Sequence, residues 1–145
     1  MPFQFPLAAV LLVRENAEKR EERALERIQL EIAQASRQVE ELNAEIARTQ
    51  QAREQAMQHL IPAFQLHDYL RQTQAAEEKK NTLLQRLQTL RHELESQMKV
   101  YQAAHRDREA LTDMLEKQRE AYELVQARNQ QKQLDDLFMA RRHRN

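Results

Sequence analysis

The sequence contains no cysteine, no glycine and no tryptophan in 145 residues, and only 5% of its residues are aromatic. Without cysteine there are no disulfide staples and no thiolate chemistry, and a reducing compartment is favoured. Without glycine, the phosphate-cradling loops and dinucleotide fingerprints that need tight turns and close backbone approach are excluded. A dominant charge sign is missing too. The 23 basic and 23 acidic side chains are interleaved, leaving no broad field to hold a nucleic-acid backbone or an anionic membrane. No run approaches the roughly 20 apolar residues that span a bilayer. The apolar opening at 5–13 lacks the basic region and small-residue cleavage site of a secretory signal. A cytoplasmic home is the expectation.

What the chain does have is helix-forming residues in a repeating pattern. Glutamine, glutamate, arginine, leucine and alanine dominate, and all lose little rotamer freedom in a helix. Apolar side chains recur at alternating steps of three and four through Leu25, Ile28, Ile32, Ala35, Val39, Leu42 and Ile46. That is a coiled-coil seam. A second seam runs from Leu66 through Tyr69, Thr73, Ala76, Lys80, Leu83, Leu87, Leu90, Leu94, Gln97, Tyr101, Ala104, Arg108, Leu111, Leu115, Gln118, Tyr122 and Val125. With 32% charged residues and few aromatics, the chain cannot fill a thick globular core, but a two-helix seam needs little apolar area.

The three prolines punctuate the chain at Pro2, Pro6 and Pro62. Proline suits the first turn of a helix and disfavours helical geometry in the residue before it. The spacing predicts one all-α domain over 1–145: helix one over about 6–59, a turn over about 60–63, helix two over about 64–140, and a frayed basic tail at 141–145. A short turn forces the helices antiparallel, bringing Leu111 and Leu115 near Leu7 and Leu11. The fold class expected is therefore a long two-helix antiparallel coiled-coil hairpin whose C-terminal helix overhangs. Equal pairing lengths leave the chain beyond about Ala121 without an intramolecular partner. Its apolar side chains Leu124, Val125, Leu134, Leu137 and Phe138 then need another surface to cover them.

Charged residues interrupt both seams. Lys80 and Arg108 occupy seam positions in helix two, and Arg14, Glu18 and Glu21 fall on the extrapolated seam of helix one. These stretches are expected to be the loosest, with long aliphatic stems packing while the heads reach water, or with a partner contacting them.

Catalytic chemistry is not visible. His59, His67, His92, His105 and His143 form no ligand pair at a spacing of three or four, and there is no cysteine to complete a zinc site. Carboxylates on a two-helix hairpin point to solvent, where nothing desolvates them towards catalytic values. No enzyme, cofactor or metal is expected. The basic tail Arg141, Arg142, His143 and Arg144 has no aromatic platform for stacked bases, and its position at a helix C-terminus already favours positive charge.

At its two ends the sequence resembles the flagellar export protein FliJ family, relatives of the injectisome stalk proteins. The N-terminal pattern is Phe3, Phe5, Leu7, Leu11, Arg14 and Glu15, and the C-terminal pattern is Arg128, Gln131, Lys132, Asp135 and Asp136. The resemblance implies an antiparallel coiled coil whose paired termini, carrying these residues, enter the ring of a hexameric export ATPase as its central stalk. It also implies contact with the cytoplasmic domain of the export gate through the first part of helix two, where Tyr69 and Ala76 match, and escort of export chaperones. The implied place is cytoplasmic, peripheral to the export apparatus at the inner membrane. The alternatives are a self-associating structural coiled coil and the equivalent stalk of an injectisome; nucleic-acid binding through the basic tail ranks last.

Overall fold

The computed structural model describes residues 2–144 and contains two helices, α1 (Ala8–Met57) and α2 (Ala63–Arg144), with no strand among the described residues. They pack against each other as an antiparallel helical hairpin with an overhanging C-terminal helix. The chain divides into two compact units. One, the tip unit, covers Glu22–Val100; the other, the terminal unit, comprises Met1–Glu21 and Tyr101–Asn145.

The tip unit holds every fully buried residue among those described: Leu25 and Ala35 on α1, and Ala76, Leu87 and Leu90 on α2. All five are seam positions expected from the heptads. Ile28, Ile32, Val39, Leu42 and Ile46 are half-buried beside them, as are Leu66, Tyr69, Thr73, Lys80, Leu83, Leu94 and Gln97. Arg86 Nη2 donates to Glu31 Oε2 at 3.1 Å across the seam. Both side chains are about half exposed, so this pair adds at most a fraction of a kcal/mol.

The connection occupies residues 58–62. The Gln58 and His59 amides donate back to the Gln55 and Ala56 carbonyls at 3.3 and 3.1 Å, tightening the last turn of α1. Pro62 stands immediately before α2, and its carbonyl accepts the Gln65 amide at 3.1 Å. Pro6 instead sits in a turn ahead of α1, where the Ala8 amide donates to the Phe5 carbonyl at 3.1 Å and residues 2–5 are not helical.

In the terminal unit the antiparallel register is explicit. Phe3 lies against Tyr122, Arg14 pairs with Asp107, and Glu18 pairs with His105 and Arg108, so positions fall along α2 as they rise along α1. Leu7, Leu11, Leu111 and Leu115 are all half-buried in this unit. No residue of the unit is fully buried among those described.

Two expectations are corrected here. Arg14 is not on the seam: its side chain is 48% exposed and pairs with Asp107, while Glu15 and Glu18 are half-buried. Intramolecular pairing ends close to the expected Ala121: Tyr122 contacts Phe3, Gln126 is the last half-buried residue, and from 127 to 144 every residue is exposed. Towards the end of the covered stretch α2 departs from its heptads, with Gln118 and Val125 exposed. Finally, the tail expected to fray is helical through Arg144, and Asn145 lies outside the described residues. Arg141, Arg142, His143 and Arg144 fill the last turn, where positive charge complements the macrodipole.

Candidate partner-binding surfaces

The terminal unit brings the N-terminal motif onto α2. The Phe3 ring meets Tyr122 at a centroid distance of 5.4 Å, tilted by 49°, and the Arg119 guanidinium lies 5.8 Å above the same ring. Phe3, Phe5, Leu7 and Leu11 are half-buried, so these side chains spend much of their surface holding the N-terminal strap to the hairpin. Arg14 Nη1 donates to Asp107 Oδ2 at 3.3 Å, and Glu15 is half-buried.

The C-terminal motif behaves differently. Arg128, Gln131, Lys132, Asp135 and Asp136 lie on the exposed part of α2, where Gln131 Nε2 donates to Asp135 Oδ1 at 3.2 Å one turn on. This stretch also carries Leu134, Leu137, Phe138 and Met139 at 59–69% exposure. Leu134, Leu137, Phe138 and Arg141 line a shallow groove. The structure thus joins the N-terminal motif to residues 107–122 and leaves the C-terminal motif displayed on an uncovered helix.

Between them lies a polar cluster that neither motif includes. Arg108 Nε and Nη2 both donate to the Glu18 carboxylate, the latter at 3.4 Å, and His105 Nδ1 lies 2.9 Å from Glu18 Oε1. Arg108 Nη1 donates to Thr112 Oγ1 at 3.3 Å, whose hydroxyl donates to the Arg108 carbonyl at 3.1 Å. His105 Nε2 faces Glu109 Oε2 at 3.6 Å, and the imidazole stacks on Tyr101 at 6.0 Å. The Arg108 hydrogen bonds hold the Glu18 carboxyl below its ordinary value against the opposing effect of burial, with His105 adding to the depression. The same contact raises Arg108. Glu18 and Arg108, both flagged as seam charges, therefore satisfy each other across the hairpin. The signal in the sequence was the register: once Leu7 and Leu11 face Leu111 and Leu115, Glu18 falls within a turn of Arg108.

In the tip unit, Ala76 is 5% exposed and belongs to the core, while Tyr69 is half-buried and its carbonyl accepts the Thr73 hydroxyl at 3.0 Å. What is open beside them is a groove across both helices, lined among others by Leu42, Ala75, Leu83, Glu41, Glu45 and Lys79. Among the described residues no His, Asp or Glu group could hold a metal ion, and no helix is long and apolar enough to cross a membrane.

Neither the curated proteins nor the solved structures contain a match to this chain. The family described as Flagellar FliJ protein matches residues 3–145. With a helical hairpin, an uncovered C-terminal helix and a match over essentially its whole length, the chain belongs to the flagellar FliJ family, whose members are non-catalytic components of the flagellar export apparatus.

Proposed function

We propose that this chain acts as the central stalk of the hexameric flagellar export ATPase, with its terminal unit inside the ring. The observation that carries the reading is the run 127–144 of α2, helical yet exposed at every described position, with Leu134, Leu137 and Phe138 uncovered. A helix of this length with an open apolar stripe is marginal alone and gains stability when a surrounding surface buries it. The charged motif Arg128, Lys132, Asp135 and Asp136 on the same run supplies directional contacts at the rim of such a site. Phe3, on Tyr122 and Arg119, holds the turns of α2 that precede the uncovered run.

Contact with the cytoplasmic domain of the export gate is proposed for the first part of α2. Ala76 is in the core, so that contact runs through Tyr69 and the neighbouring groove around Leu42, Ala75 and Leu83. Escort of export chaperones completes the reading. All of this takes place in the cytoplasm, at the periphery of the export apparatus.

The test is a pull-down and hydrolysis assay of the full chain with its host's export ATPase, alongside a chain truncated after Gln126. Binding and stimulation lost on truncation, with the remaining hairpin helical by circular dichroism, is the expected result. A full-length chain that neither binds nor stimulates overturns the stalk assignment. If sedimentation then shows concentration-dependent dimers that disappear on truncation, the uncovered helix pairs with its own copy.

A further inference from the structure

The connection between the helices is a second uncovered apolar site, in the tip unit, that the stalk reading does not use. Residues 55–67 carry no lysine, arginine, aspartate or glutamate. At the chain's 32% charge, a stretch of that length would hold about four. Its apolar residues divide into two sets. Ile61 and Leu66 turn inward and are half-buried, whereas Met57, Leu60 and Phe64 are 59%, 105% and 65% exposed. Solvation does not account for this arrangement, since the exposed positions of a hairpin tip are where polar residues are cheapest.

Amide hydrogen bonds from Gln58, His59 and Gln65 to carbonyls three residues back hold both sides of the connection, and Pro62 fixes its own φ between them.

We propose that Met57, Leu60 and Phe64 form a docking knob for an uncharged, apolar recess on a protein partner. Three side chains offer on the order of a few hundred Å², the range of a weak contact rather than a stable interface, and two such protruding knobs set against each other would bury less of Leu60, 105% exposed, than a recess would. A bilayer is disfavoured because the stretch has no basic residue to meet anionic headgroups, and one small apolar anchor holds a membrane only marginally. A concave socket needs less area than a flat interface, because it surrounds each side chain and excludes water completely. The charge-free flanks set its chemistry: a charged socket wall would be desolvated against Leu60 and Phe64 with nothing to compensate it. The glutamines Gln55, Gln58 and Gln65 provide neutral hydrogen bonds at the rim. The contact is small enough to be transient.

The test places the photo-crosslinking residue p-benzoylphenylalanine at position 57 of the full chain in its own host, and separately at Arg71 as a control. The expected result is a protein adduct from position 57, absent from position 71, whose crosslinked residues on the partner are apolar and uncharged. L60S/F64S in the same chain should reduce it at least ten-fold while ATPase pull-down is retained. An adduct to a second copy, an adduct unaffected by L60S/F64S, or one mapped to charged partner residues overturns the proposal. So does the absence of any adduct, or binding of the purified chain to phosphatidylglycerol vesicles that L60S/F64S abolishes. Because the ATPase assay is read separately, failure of the knob leaves the stalk reading standing, and the reverse holds equally.

Discussion

Glu18 and Arg108 face each other across the terminal unit with 15% and 24% of their side chains exposed, and the carboxylate accepts two of the guanidinium's donors and the imidazole of His105. A planar fork on a carboxylate is geometrically selective. It cannot be satisfied by α2 displaced one heptad along α1, which makes the pair a register device as much as a source of stability.

Removing one member should therefore cost more than removing both. E18A or R108A alone leaves a half-buried charge without its partner and is expected to cost about 1–3 kcal/mol. The pair E18L/R108L, which puts leucine back at both seam positions, should recover most of that loss. Chemical unfolding followed by circular dichroism, analysed as a double-mutant cycle, measures the coupling, and additive effects would refute it.

The pH dependence has a definite direction. Arg108 holds Glu18 below its ordinary 4.5 in the folded chain, so the carboxylate's contribution is complete above that value and is lost as pH falls through the depressed folded one. Wild-type chain should lose melting temperature on going from pH 7 to pH 3 by more than R108L does. Equal losses would mean that the ion pair contributes nothing to folding.

Phe3 should act locally. An aromatic pair and a partly exposed cation–π contact are each worth about 1 kcal/mol. F3A is expected to speed amide exchange over 119–126 markedly while the tip unit is unaffected. If exchange there does not change, the strap is not what ends the covered part of α2.

Stability and partner binding should separate cleanly along α2. Leu90 is 1% exposed, and L90A is expected to cost about 2–5 kcal/mol. L134A/F138A, at positions more than half exposed, should leave the melting curve within error of wild type but weaken the ATPase complex. Charge reversal at Arg128 and Lys132 should do the same. A large stability loss from L134A/F138A would show that the terminal run already has an internal partner.

Much of this fold is legible in the sequence because a heptad is a direct statement about one face of a helix. Leu25, Ala35, Ala76, Leu87 and Leu90 are all seam positions and all buried. The reading fails where the covered stretch of α2 runs out: Val125 keeps the heptad step yet is 52% exposed. It also fails where residues were judged one helix at a time. Glu18 and Arg108 look like flaws in two separate seams, and only the antiparallel register shows that each completes the other. The candidate surfaces were half legible, in that the C-terminal motif is displayed as expected, whereas Phe3 and Ala76 turn out to be engaged internally. The exposed trio at the connection was hidden, because periodicity says nothing about which way a turn points its side chains.

The placement of all five buried residues in the tip unit has a consequence for how the molecule comes apart. Local opening free energy follows buried apolar contact, so thermal fluctuation should unzip the hairpin from its chain ends while the heptads between Leu25 and Leu90 stay shut. The terminal unit can loosen, admit a binding surface and close again around it as a separate cooperative step. A chain built this way carries most of its buried contact in one segment, so substitutions in the terminal unit should leave the melting of the rest unaltered.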